Sequence, residues 1–286
     1  MKHIAFVSGK GGTGKSTLVS SLSLLVQDKI IADCDVDAPN LHILIKGELL
    51  QEEDYYGAKE AFINPALCEK CGLCQQICRF DAISEEMEIM GMKCEGCGAC
   101  VLVCPTQAIF LEEVKTGQTY VHNTSQGIFS HALLNIGAEG SGKLVTEVRK
   151  NILDYQDKEK YVLIDGSPGI GCVVIASITG ADAVVVVSEP TKSGMSDLER
   201  VLGVTRHFQI PSFVCINKYN LNDGLTADIE NFCQRNGCPV IGKIPFDPAV
   251  VQALQDGKTP VEAGNKQVIS EMISIWEKLT QEMARA

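Results

Sequence analysis

The sequence predicts an α/β fold, with a mainly parallel sheet carrying helices on both faces and a small α+β domain inserted into it. Three observations carry this reading. Continuous apolar runs recur along the chain, at ADAVVVVSE (181–189), PSFVCIN (211–217) and PVIGKIP (239–245), separated by stretches of helical period such as KSGMSDLERVLGVTRHF. Strands that are apolar on both faces and alternate with helices belong to a parallel sheet covered on both sides. The chain also opens with HIAFVSGKGGTGKSTLVSSLSLLV, an apolar strand, a glycine-rich loop and an amphipathic helix. Finally, eight of the 13 cysteines fall in two runs after the first β-α-β unit, and sheet-type sequence resumes beyond them at about 118–122 and 128–136. That segment therefore interrupts the larger domain. The expected bounds are 1–59 and 114–286 for the α/β domain and 60–113 for the insert. A chain of 286 residues holds both, and an insert this small needs a metal or disulfide staple.

The N-terminal loop reads G-x-x-x-x-G-K-[ST] between a strand and a helix, the context in which that motif points to phosphate binding. Gly9, Gly11, Gly12 and Gly14 let backbone amides wrap phosphate oxygens, with Thr13 and Thr17 completing the loop, and the following helix N-terminus favours anions. Lys15 is placed to reach the β- and γ-phosphates and Ser16 to ligate Mg²⁺.

Two apolar strands end in carboxylates. KIIADCDVDAPN (29–40) carries Asp33, Asp35 and Asp37, which share one face of an extended strand, so at least two can point at the phosphate pocket. YVLIDGSPGIG (161–171) runs into Asp165, Pro168, Gly169 and Gly171. A third strand gives SFVCINKYN (212–220). A guanine site of the N-K-x-D type needs a carboxylate where this chain has Asn220, which favours ATP over GTP.

The cysteine runs are CEKCGLCQQIC (68–78) and CEGCGACVLVCP (94–105), each C-x-x-C-x-x-C-x-x-x-C. With no secretory signal, a disulfide framework is not expected in a reducing cytosol. Structural zinc uses pairs of ligands separated by a longer loop and has no need of the third cysteine. The spacing, with FDAIS and PTQAIFLEE around it, resembles a bacterial two-cluster ferredoxin over about residues 60–113. That resemblance implies two 4Fe–4S clusters, one held by Cys68, Cys71, Cys74 and Cys104, the other by Cys94, Cys97, Cys100 and Cys78. Pro105 follows the last cysteine of the second run as in ferredoxins. Arg79 follows that of the first, leaving the ligands intact and adding a charge beside a cluster.

GKGGTGKS resembles the deviant phosphate loop of the MinD, ParA, Mrp and nitrogenase iron-protein superfamily of ATPases. The resemblance implies that Lys10 reaches across a nucleotide-sandwich dimer to the partner's phosphates; a solvated loop lysine is the alternative. It also implies that Asp35 orients or deprotonates the attacking water, with Asp33 nearer the Mg²⁺ shell, while Asp37 has no counterpart. By the same likeness Asp165 holds Mg²⁺ through a water, Asn217 binds adenine, and GKIPFDP (242–248) closes over the base with Pro245 and Asp247. Cys172 sits where the nitrogenase iron protein carries a cluster ligand, but the second such cysteine is missing around 138–141, and a buried structural role is expected. Cys34, Cys215, Cys233 and Cys238 read as structural.

Net charge is −11, with Glu85, Glu86, Glu88 and Glu95 in the insert, which argues against nucleic-acid binding and suits a basic protein partner. There is no 18-residue apolar run, so no membrane span is expected, and the location expected is the cytoplasm. The C-terminal stretch QVISEMISIWEKLTQEMARA presents Ile269, Met272, Ile273, Trp276 and Leu279 as a core-packing face. Together these features predict a Mg²⁺-dependent ATPase coupling nucleotide state to electron transfer from two 4Fe–4S clusters, to a redox partner protein or into metallocluster assembly. An ATP-dependent homodimer or paralogous heterodimer is expected. The alternatives are an iron–sulfur scaffold or carrier of the Mrp kind, and a spatial regulator like MinD or ParA with redox-sensing clusters.

Overall fold

Each apolar run of the sequence becomes a strand. The computed structural model describes residues 1–155 and 160–285. Its elements begin with β1 (Lys2–Ser8), α1 (Lys15–Leu25), β2 (Lys29–Cys34), α2 (Leu41–Leu44) and β3 (Gly47–Ile63). Next come α3 (Leu73–Ile77), α4 (Ala99–Val103), β4 (Ile109–Thr124), β5 (Gly127–Leu134), α5 (Gly142–Lys150) and β6 (Tyr161–Pro168). The remainder is α6 (Cys172–Ile178), β7 (Ala183–Ser188), α7 (Lys192–His207), β8 (Ser212–Asn217), α8 (Asp223–Arg235), β9 (Val240–Ile244), α9 (Pro248–Gln255) and α10 (Lys266–Met283).

The strands form a nine-stranded sheet in the order β3-β4-β5-β2-β6-β1-β7-β8-β9. From β5 to β9 every neighbouring pair is parallel. β4 and β5 are joined through only two residues, a connection that antiparallel strands alone can make. The Thr124 hydroxyl ties that turn by donating to the Gly127 carbonyl at 2.6 Å. β2 and β7 are buried along their whole length, as a sheet covered on both faces requires.

The chain divides into two units. One comprises Met1–Glu52, Thr119–Leu133 and the described residues from Gly140 onward; the other comprises Glu53–Gln118 and Leu134–Glu139. The second takes in more chain than the expected 60–113, because β3 and β4 each run from one unit into the other. β3 is absent from the sequence reading. Its residues are mostly exposed, so GELLQEEDYYGAKEAFI carries little hydrophobic signal.

The core of the larger unit gathers Ile4 and Phe6 of β1, Leu18 and Leu22 of α1, and Val268, Met272, Ile275 and Leu279 of α10. Burying each such side chain contributes roughly 1.5–3 kcal/mol. The inner face of α10 is therefore turned from the one expected. Met272 and Leu279 are on it and Trp276 packs at its margin, but Ile273 is exposed and Ile275 takes its place. Gly242 of β9 makes the close approach possible, since a Cβ there would lie 2.3 Å from Ile275 Cγ1.

Candidate functional site

Because β1, β2, β6 and β8 lie in one parallel array, their carboxyl ends share an edge of the sheet, where ligands bind in open α/β folds. β1 delivers the phosphate loop, which runs from Ser8 into α1 at Lys15. Gly12 and Gly14 have φ of 78° and 91°, left-handed values that free amides to turn inward. No side chain caps α1, which leaves its first amides for an anion. Gly9 packs against α7: a Cβ would meet that of Asp197 at 2.2 Å.

Lys15 is the centre of charge. Its ammonium donates to Asp165 Oδ1 at 2.7 Å, Asp35 Oδ2 at 3.3 Å and Ser16 Oγ at 3.2 Å, with its side chain only 5% exposed. Burial pulls its pKa down, but the carboxylates of Asp165, Asp35 and Asp33 outweigh this and hold it above its ordinary value. The Asp35 carboxyl is pushed up, by burial first, with Asp165 adding to the rise and Lys15 opposing it.

Asp33 departs from its expected place beside the metal. It stands opposite Asp165 in the β2–β6 register, yet spends both oxygens on backbone amides, accepting from Asp35 N and Leu41 N at 3.1 Å each. It therefore shapes the loop between β2 and α2. Burial, then the Asp165 charge, pushes its carboxyl up to about 8. Asp37, which has no counterpart in the resemblance, accepts from Gly140 N at 2.8 Å through Oδ1 and lines the groove.

Asp35 Oδ1, Asp165 Oδ2 and Thr13 Oγ1 are buried without a hydrogen-bond partner. Unmet buried acceptors of this kind, beside a lysine and an amide-lined loop, fit a Mg²⁺–nucleotide. Ser16 and Asp165 are the residues that would hold the ion.

Lys10 points elsewhere. Its ammonium sits 2.6 Å from Glu189 Oε1, with Thr191 Oγ1 at 3.4 Å and Ser193 Oγ at 3.2 Å. Glu189 also takes Lys218 at 3.1 Å, and Lys218 in turn donates to Gly12 O at 2.9 Å. Glu189 and Lys218 thus hold the phosphate loop from outside, and sequence reasoning missed both. The φ of 58° at Lys218 has no local sequence signal either.

Asn217, at the end of β8, donates to Thr13 O at 2.7 Å and accepts from Lys218 N at 3.0 Å. Together with Pro245, Phe246, Asp247 and Gly14 it lines a pocket next to the phosphate groove. Asn220 clasps the far wall, accepting from Phe246 N at 2.6 Å and donating to Phe246 O at 3.3 Å. Asp247 caps α9 through Ala249 N and accepts from Asn265 Nδ2 at 2.7 Å. Cys172 is exposed and lines the groove, not buried as expected.

In the second unit the two cysteine runs fold as copies. Lys70 and Gly96 have φ of 53° and 59°, Gly72 and Gly98 77° and 75°, and Asp81 and Gln107 49° and 52°. Cys78 and Cys104 end their helices at φ/ψ of −71°/110° and −76°/111°. Each accepts an amide four residues on, Ala82 N to Cys78 Sγ at 3.4 Å and Ala108 N to Cys104 Sγ at 3.2 Å. Cys94 Sγ accepts from Ala61 N at 3.4 Å. Cys74 and Cys100 are the buried members, in one apolar patch with Ala61, Ile83 and Ile109, and burial pushes both thiols up. At Cys104 burial raises the thiol, but the Thr106 hydroxyl and nearby amides together outweigh it and hold the thiol below its ordinary value.

Cys78, Cys94, Cys97 and Cys100 line one pocket, the quartet expected for one cube. Cys68 and Cys71 are close enough to Cys74 to act on its charge, and Cys104 packs against the same patch. Among the described residues no three His, Cys, Asp or Glu side chains converge on one point as a single ion would need. A cube takes its four thiolates on four separate irons, and the pocket that Cys78, Cys94, Cys97 and Cys100 line together, with amides aimed at Cys78 and Cys94, fits such a group.

The phosphate loop, the lysine and the facing carboxylates define a phosphate-loop nucleotide-binding protein. Residues 4–261 match the model of the CobQ/CobB/MinD/ParA nucleotide binding domain, and the chain belongs to that family of P-loop ATPases. It is 32% identical to the uncharacterized protein MJ0578 of Methanocaldococcus jannaschii, over 97% of this chain and 96% of that one. It is 23% identical to the iron-sulfur cluster carrier protein of Pyrococcus abyssi, over 98% of this chain and 86% of that one. Among solved structures, the septum site-determining protein MinD with Mg-ADP from Pyrococcus horikoshii superposes with a TM-score of 0.59 at 17% identity. That match covers 97% of this chain and 95% of the other.

Proposed function

We propose that this protein hydrolyses Mg²⁺–ATP as a dimer and couples its nucleotide state to electron transfer through two 4Fe–4S clusters in the cysteine-rich unit. The observation that carries the coupling is a hydrogen bond followed by a short run of chain. The Leu41 amide that opens α2 donates to Asp33, on the strand that also carries Asp35 into the groove, and α2 leads within three residues to β3, which runs into the cysteine-rich unit. A rearrangement of the 33–41 loop on nucleotide binding therefore pulls directly on the strand that precedes Cys68.

In this reading the γ-phosphate takes the place of the carboxylates now paired with Lys15, and Asp35, released, orients the attacking water. Asn217 and the 245–247 loop hold the base. Lys10 leaves Glu189 to reach a partner's phosphates across the dimer. When bound, the clusters supply one-electron storage and release. The acidic residues Glu85, Glu86, Glu88 and Glu95 favour a basic redox partner.

The likeness to an iron-sulfur cluster carrier gives a second reading, in which the chain hands clusters on. Cys233 and Cys238 are unsuited to that task. Both are buried, Cys238 donates to Ser212 O at 3.2 Å, and burial pushes their thiols up to about 12 and about 11. The test is Lys15→Ala, expected to abolish ATP turnover while leaving iron and sulfide content intact. Loss of both from a variant that still unfolds cooperatively would overturn the two-part reading.

A further inference from the structure

The two thiolate sites are copies in backbone but not in what covers them. Two residues after the last cysteine of each run stand Phe80 and Thr106. Thr106 Oγ1 lies 3.7 Å from Cys104 Sγ, and once that sulfur is a thiolate only the hydroxyl can donate. Phe80 has no donor. It joins Ala61, Ala82, Ile89 and Leu111 in lining the pocket of Cys78, Cys94, Cys97 and Cys100.

Reduction adds a negative charge. A hydrogen bond to sulfur stabilises that charge, whereas apolar cover opposes it. The nearby cations do not reverse this order, because Lys70 in one run and Arg79 in the other are both exposed and screened by solvent. Each site also has backbone donors, Ala108 N at Cys104 in one and Ala82 N at Cys78 with Ala61 N at Cys94 in the other, so the side chains at 80 and 106 are the difference that follows the last cysteine of each run. We propose that Thr106 raises the reduction potential of the Cys68, Cys71, Cys74 and Cys104 site and that Phe80 in the matching place lowers that of the Cys78, Cys94, Cys97 and Cys100 site. This rests on the two-cluster reading above.

The experiment is an anaerobic EPR redox titration of the full-length protein, after iron and sulfide analysis, with Thr106→Val, Thr106→Ser and Phe80→Thr alongside. Wild type is expected to show two midpoints. Thr106→Val lowers one midpoint and leaves the other, by about tenfold in electron partition, or ~59 mV for a one-electron couple. Thr106→Ser keeps the wild-type values, and Phe80→Thr raises the midpoint that Thr106→Val leaves unmoved. Unmoved midpoints in Thr106→Val with full iron content overturn the proposal and leave the cluster reading standing. A wild-type protein without iron overturns both. Where Thr106→Val loses iron, Phe80→Thr decides: one raised midpoint supports the proposal, and two unmoved midpoints overturn it.

Discussion

Lys15 Nζ lies 2.7 Å from Asp165 Oδ1, so the lysine of the phosphate loop is held by the carboxylate expected to hold the metal. One ammonium, Lys15, thus serves two carboxylates, Asp35 and Asp165, in a buried site. Removing the cation strands two buried carboxylates. Breaking a pair of this kind costs roughly 3–5 kcal/mol. Lys15→Ala is therefore expected to lower the denaturant midpoint of the nucleotide-free protein markedly, and adding Asp165→Asn to recover part of the loss. Additive losses in the double variant would contradict this linkage.

The salt bridge of Lys10 to Glu189 makes a kinetic prediction for the dimer reading. Lys10→Ala is expected to bind ATP as tightly as wild type, because Lys10 faces away from the groove, yet to lose ATP turnover by 10-fold or more, about 1.4 kcal/mol of barrier. Equilibrium binding of a fluorescent ATP analogue and a phosphate-release assay separate the two. A large loss of binding would place Lys10 in its own subunit's site.

His131 gives the larger unit an acid-sensitive element. It is stacked with His42, Tyr120, His122 and Phe129, and its Nε2 lies 3.2 Å from that of His122. Burial, then the charges of His42 and His122, pulls its pKa from 6.5 to about 3. The unfolded chain then binds the extra proton between these values, so His131 contributes stability that is complete above pH 6.5 and is lost as pH falls toward 3. Its share of the slope approaches about 1.4 kcal/mol per pH unit in that window. His131→Phe is expected to flatten the pH dependence of urea unfolding between pH 6 and 4. An unchanged slope would show that His131 is not buried neutral.

Gly242 supplies a packing test. Gly242→Ala drives a methyl into Ile275 of α10, and overpacking of this kind costs about 1–3 kcal/mol. With Ile275→Ala, which removes the Cγ1 that the methyl meets, the Gly242→Ala step is expected to cost less in thermal unfolding than it does in wild type. An equal cost in both backgrounds would mean that α10 is held elsewhere.

What the sequence disclosed depended on how locally each feature is encoded. The phosphate loop and the cysteine runs are contiguous, so the strand–loop–helix around Lys15 and Ser16 and the repeated backbone of the two runs could be located from spacing alone. Asp33 and Asp35 were legible as a pair but not in their separate tasks. Which carboxylate turns to backbone amides depends on Leu41, a contact made by the fold. Glu189 follows a buried strand with nothing to distinguish it from a solvated residue, and only β7 beside β1 and β8 brings it to Lys10 and Lys218. β3 escaped because the pattern that reveals a strand is burial on one face, and β3 buries little.

The coupling of nucleotide to clusters is tested most directly by titrating the midpoint potentials of the anaerobically purified protein with and without MgATP. The proposed link from Asp33 through α2 to β3 predicts that at least one midpoint shifts on MgATP by about 59 mV or more, a tenfold change for a one-electron couple. Midpoints that coincide with and without MgATP, in protein that hydrolyses ATP and holds its full iron, would contradict it.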